Sequence, residues 1–204
     1  AINTTAGTGS ECTRAYVITD ETTKSKYGIR DNNAQASIAV NDWEVMMSMP
    51  KSITAGTGMD ALTHAVECLV SKNTFLLTTE LALSAIKLIF NNLEPVVNNP
   101  NDKKAREAMA TAQYLAGLAF GNGGVGLVHS MSHQLSGVYD LPHGLSNAIL
   151  LADVMEFNKP HCLDELANMA DTIFPLLAQG KSKEEKANIA INKIRELSKA
   201  VGTA

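Results

Sequence analysis

From Pro50 almost to its last residue the chain keeps a helical period, and into that run it sets ionisable side chains four residues apart. Asp60 and His64 stand at this spacing inside Gly58-Met-Asp-Ala-Leu-Thr-His-Ala-Val-Glu67, and His129 and His133 repeat it inside Val128-His-Ser-Met-Ser-His133. On a helix, residues i and i+4 lie one above the other on the same face, so each pair can grip one object. His143 follows just after a turn-like Asp140-Leu-Pro142, so four of the five histidines fall in two short windows. A chain of this pattern folds as packed helices around a polar cluster, and the cluster reads as a divalent metal site.

The first fifty residues differ. Residues 15–19 form a β-branched run, residues 26–30 a second, and residues 37–40 a third, with polar Asp20-Glu-Thr-Thr-Lys-Ser25 suited to a hairpin turn. Three short strands are too few for a complete sheet. Beyond Pro50, Leu81, Ile86, Leu88, Ile89 and Leu93 line a helix expected to end near Pro95. Residues 105–120 are alanine-rich, and helical patterns over 144–157, 163–177 and 183–199 bring the total to about seven helices. Asn98-Asn-Pro-Asn-Asp102 and Asn158-Lys-Pro160 punctuate them. The fold class expected is mainly α, a helical metal-binding domain over residues 51–204. A short β-rich remnant of an α/β nucleotide-binding domain precedes it over residues 1–50.

Charge narrows the partners. The 204 residues carry a net charge of −4 with both signs interspersed, which gives no basic stripe for nucleic acid and no basic amphipathic face for membranes. Small molecules are the expected partners. Cys12, Cys68 and Cys162 are odd in number and match neither a disulfide framework nor a paired metal motif. They read as packing residues of a reducing compartment. With no leader pattern and no long uncharged apolar run, the expected location is the cytoplasm. The chain opens on Ala1-Ile2 and stops soon after a charged amphipathic helix, and is expected to be a fragment.

An unpaired buried carboxylate is costly and usually finds a cation. One carboxylate with imidazoles and no thiolate suits Fe(II), Zn, Co, Ni or Mn, and is poor for Ca or Mg. Spacing does not choose among the histidines, since His129 and His133 could both be ligands, as in metalloproteases. The zinc-protease signature places glutamate directly after its first histidine, where Ser130 stands here. A metal-dependent hydrolase or lyase would then need Glu67 or Glu11 as its base. Gly121-Asn-Gly-Gly-Val-Gly126 has the spelling of a dinucleotide loop but follows a helical segment, so it reads as a helix–helix turn. Thr4-Thr-Ala-Gly-Thr-Gly-Ser10 precedes strands and offers bare backbone N–H groups and three threonine hydroxyls, chemistry that fits a nucleotide.

Taken in order, Ala1-Ile-Asn-Thr-Thr-Ala-Gly-Thr-Gly-Ser-Glu11, Asn41-Asp42 with Met49-Pro50, Thr57 to Glu67, Val128 to Gln134 and Leu141-Pro-His-Gly-Leu-Ser-Asn147 resemble the iron-containing (group III) alcohol dehydrogenases. The resemblance implies a fold with an N-terminal nucleotide-binding domain and a helical metal domain, and hydride transfer between a primary alcohol or diol and NAD or NADP. It implies Fe(II) or a similar divalent metal on Asp60, His64, His129 and His143, with His133 near substrate and nicotinamide; His133 is the catalytic candidate for relaying the released proton, beside the alternative that it orients substrate or cofactor. It places cofactor contacts on Thr4, Thr5, Thr8, Val17 and Lys26, a substrate-pocket wall on Phe120, and suggests a homo-oligomer. The family's upstream phosphate-cradling motif is absent, and Ala152-Asp153 and Cys68-Leu69 depart from its usual pairs. This chain alone is therefore expected to bind NAD(P) weakly.

Overall fold

The computed structural model describes all residues 1–204. Strands β1 (Ala15–Asp20) and β2 (Ser25–Arg30) form an antiparallel hairpin, paired from Ala15 with Arg30 to Asp20 with Ser25. Asp20 closes its turn by accepting from Thr22 N at 2.8 Å, the local bond that makes aspartate a turn former. Eight helices follow: α1 (Lys51–Leu69), α2 (Leu76–Asn98), α3 (Lys103–Gly123), α4 (Leu127–Tyr139), α5 (His143–Asn158), α6 (Leu163–Ile173), α7 (Pro175–Ala178) and α8 (Lys183–Val201). The chain is mainly α, as the periodicity predicts.

Helix α1 is the axis of the molecule. Every residue from Gly58 to Leu69 is buried, because α2, α3 and α5 pack around it. A helix covered on all sides needs no polar face, so its polar residues must be explained by what they hold. Helix α2 lays Ile86, Ile89, Leu93 and Val96 against this axis with no exposed surface. Helix α3 approaches through small residues, Ala105, Ala112, Ala116 and Ala119, which let the backbones come close. Helices α6 and α8 pack together and close the far side with Leu166, Ile191 and Ile194. The thiols are free, and burial pushes Cys68 and Cys162 up to about 11.

Four details depart from the expected pattern. Residues 37–40 make no third strand, because only the start of the chain lies alongside: Val40 forms an isolated parallel bridge with Ile2, and Ile38 is 73% exposed. Helix α2 runs through Pro95 to Asn98, since the buried side chains of Val96 and Val97 hold its last turn despite the missing N–H. The segment 163–177 breaks in two at Phe174, whose extended φ of −126° is what a following proline favours, and Pro175 starts α7. Helix α2 is also long and apolar enough to cross a membrane by length and composition, but its apolar stripe is spent on α1 and α3. Of the glycine-rich stretch after Phe120, residues 121–123 are still the end of α3 and only residues 124–126 make the helix–helix turn, with Gly124 at φ 82° ending α3.

Candidate metal centre and active-site cleft

Three helices meet at one point. Helix α1 supplies Asp60, His64 and, one turn on, Glu67; α4 supplies His129 and His133; α5 supplies His143 and Asn147. Each helix contributes residues at i and i+4 or i+3, so the spacing visible in the sequence becomes a shared face. The start of α5 reaches Asp60 because Gly144 lies directly on the backbone of Gly56, where any Cβ would fall on the Gly56 carbonyl.

Three imidazole nitrogens converge on one carboxylate oxygen. Asp60 Oδ1 lies 3.6 Å from His143 Nε2, 3.7 Å from His129 Nε2 and 4.0 Å from His64 Nε2. Asp60, His64 and His129 are buried, and the side chain of His143 is 32% exposed, so the cluster opens on the α5 side. His64 is held flat between Phe120, stacked at 4.1 Å, and His129, stacked at 4.5 Å. No lysine or arginine pairs with Asp60. Burial works against its charge, but the surrounding histidines outweigh it and hold the carboxyl well below the usual range. Burial pulls His64 down to about 4 and, with Asp60 opposing, also lowers His143. Both are therefore unprotonated near neutrality, the state that offers a lone pair to a metal.

His129 is fixed from behind. Glu67, 1% exposed, accepts a hydrogen bond from its Nδ1 at 2.5 Å and accepts from Val128 N at 2.6 Å and His129 N at 3.4 Å. One carboxylate from α1 thus caps α4, which has no cap of its own, and turns the Nε2 of His129 toward Asp60. Burial lowers His129, but its bonds to Asp60 and Glu67 dominate and raise it to about 9. Asn147 completes the set: its Nδ2 donates to Asp60 Oδ1 at 2.6 Å and lies 3.2 Å from the Nε2 atoms of His129 and His143. Carboxylate–histidine support of this kind is how proteins orient metal ligands. The donor set fits a divalent metal: imidazole and carboxylate, buried, with no thiolate and no competing cation.

His133 stands apart from that point. It is half-buried on the cavity wall, its ring 5.2 Å from that of His143 and 6.2 Å from that of His129, and burial helped by neighbouring His143 lowers it to about 4. The cavity above the cluster measures about 550 Å³ and runs between the metal-side residues and the hairpin. Thr8, Val17 and Phe120 line it; Thr4, Thr5 and Lys26 do not. Lys26 is nonetheless close enough for its charge to add to the lowering of His133 and His143 that burial begins.

Glu67 and Asn147 carry roles that the sequence reading did not assign. Glu67 entered only as a candidate base, and its engagement with His129 removes it from that part. Both were detectable as continuations of the ligand spacing, three residues after His64 and four after His143. Glu11, the other candidate base, is buried against Gln113 and does not line the cavity.

Residues 54–204 match the C-terminal part of the Fe-containing alcohol dehydrogenase family, and residues 1–43 match the iron-containing alcohol dehydrogenase description. The chain belongs to the iron-containing alcohol dehydrogenase family. Among curated family members, alcohol dehydrogenase 4 of Schizosaccharomyces pombe is 45% identical over 199 residues, covering 97% of this chain and 46% of that protein. The NAD-dependent methanol dehydrogenase of Bacillus methanolicus is 47% identical over 173 residues, 85% of this chain and 45% of that one. The crystal structure of a 1,3-propanediol oxidoreductase superposes on the whole chain with a TM-score of 0.95 at 43% identity, using 53% of its own length. The chain thus spans about half the length of the relatives it matches.

Proposed function

We propose that this chain carries the metal and nicotinamide sides of a metal-dependent alcohol dehydrogenase, one that moves hydride between a primary alcohol or diol and NAD or NADP. The observation that carries the reading is the convergence of three imidazole Nε2 atoms on Asp60 Oδ1 at the floor of an open cavity. Asp60, His64, His129 and His143 would hold Fe(II) or a similar divalent ion. When bound, the metal supplies Lewis-acid polarisation of the alcohol oxygen and the nicotinamide supplies the hydride acceptor.

The remaining work falls to the chain's own residues. Phe120 covers one side of His64 and adds an apolar wall to the cavity beside it. Thr8 and Val17 face the floor from the loop and hairpin, the position from which a nicotinamide ring would be oriented. His133 is unprotonated at neutral pH and lies beside His143 on the wall, placed to take up the proton that the alcohol gives up and pass it outward. The curated relatives are named for alcohols, one of them with NAD, which supports the reaction class. Residues 1–50 are read as the edge of the nucleotide-binding domain, turned toward the metal.

A hydrolase or lyase reading loses ground because both candidate bases are spoken for, Glu67 by His129 and Glu11 by Gln113. The deciding experiment is aerobic against anaerobic turnover of short alcohols and diols by metal-loaded protein, followed by nicotinamide absorbance. Reduction of NAD(P) that disappears in Asp60→Ala supports the reading. Ester or dehydratase turnover independent of nicotinamide would overturn it.

A further inference from the structure

The loop that precedes the hairpin is clasped to α3 by a polar network that the metal centre does not use. Gln113, with no exposed surface, accepts from Gly9 N at 3.0 Å through Oε1 and donates through Nε2 to Glu11 Oε1 at 2.7 Å and to Asn41 Oδ1 at 3.3 Å. Asn41 accepts from Asn3 Nδ2 at 3.2 Å and ties the group to the Ala110 carbonyl at 2.9 Å. One amide side chain therefore grips the loop on both sides of Ser10. The backbones beneath leave no slack. Gly9 has φ 57°, a Cβ on it would lie 2.6 Å from Gly117 Cα, and a Cβ on Gly117 would lie 2.5 Å from Cys12 Sγ.

The network is chemically expensive for a mere filler. Glu11 is 2% exposed, no basic residue pairs with it, and Gln113 is its one side-chain partner; its second oxygen and Asn3 Oδ1 are buried without any. Apolar residues would fill the same space without that desolvation. What polar groups add is a fixed position, because a buried amide and carboxylate satisfy each other in few arrangements. The position fixed here is that of Gly9, whose neighbours Thr8 and Ser10 both line the cavity. Two turns further along α3, Phe120 lies against His64, so the same helix sets the loop and one wall of the metal centre.

We propose that Glu11 and Gln113 are a positioning pair that holds the loop of Thr8 and Ser10 in the shape that receives the nicotinamide end of the cofactor. The inference rests on the NAD(P) reading above. It is tested in metal-loaded protein with Gln113→Leu, Glu11→Ala and Glu11→Gln, reading amide hydrogen exchange at Gly9, NADH affinity by fluorescence titration, and metal content. Gln113→Leu and Glu11→Ala are expected to speed Gly9 exchange and weaken NADH by about tenfold while the metal stays bound. Glu11→Gln keeps a carbonyl to accept from Gln113 and is expected to restore both. A folded, metal-loaded Gln113→Leu or Glu11→Ala protein with unchanged NADH affinity overturns the pair. So does parallel loss of metal, melting temperature and NADH affinity in both Glu11 variants, which is what a purely structural role predicts. Unsubstituted, metal-loaded protein that shows no NADH binding even at millimolar NADH, where the weak site of this chain should fill, would instead contradict the NAD(P) reading itself.

Discussion

Glu67 is the residue on which the proposed metal centre turns, although it would touch no metal. It orients His129, supplies the missing cap of α4 and is sealed from solvent. Glu67→Gln keeps the size and removes the charge, and is predicted to weaken divalent metal binding by about 10–100-fold in a calorimetric titration, as other outer-shell substitutions do. The histidines also set the pH dependence of the metal-free fold. His129 is raised to about 9 in the folded chain, so the stability it contributes is complete below its unfolded value of about 6.5 and is lost as pH rises through about 9. His64 is lowered to about 4, so the folded chain binds fewer protons than the unfolded one below about 6.5, and stability falls as pH drops toward 4. Melting temperatures of metal-free protein should therefore peak near pH 6.5 with respect to these two groups. A His129→Gln variant should lose the alkaline decline while keeping the acid one.

At the level of elements, the centre depends on how closely α5 approaches α1. Gly144 rests on the Gly56 carbonyl with no room for a side chain. Gly144→Ala is predicted to push the start of α5 away, destabilise the fold by about 1–3 kcal/mol in denaturant titration, and displace His143 enough to weaken metal binding. The sequence shows the helices themselves, because periodicity and caps such as Ser182 with Glu185 on α8 are local signals. It does not show that α1 is wrapped on every side. That property belongs to the packing of α2, α3 and α5, and it is why Glu67 looked like a free base before its partner was in view. The run at residues 37–40 misled for the same reason: β-branched residues predict an extended chain but cannot say whether a neighbouring strand exists to pair with it.

Across the whole molecule, one helical body carries a metal-type cluster, and a short hairpin and loop close over it to make the cavity. Asp60, His64, His129 and His143 were legible as candidates from spacing, and the choice of His143 over His133 came from likeness to a family. In the fold the Nε2 of His143 lies 3.6 Å from Asp60 Oδ1, and His133 lies on the cavity wall with its ring 5.2 Å from that of His143. Less was legible on the cofactor side, where Thr8 and Val17 line the cavity and Thr4, Thr5 and Lys26 do not. Contacts to an extended ligand are spread along a surface and leave no fixed spacing to read. The central claim is that these four side chains hold one metal ion, and its most direct measurement is elemental analysis of protein loaded anaerobically with Fe(II) or Zn(II), beside Asp60→Ala and His143→Ala. The account predicts about one equivalent in the unsubstituted protein and little in either folded variant. Folded protein that takes up no metal, or variants that retain a full equivalent, would contradict it.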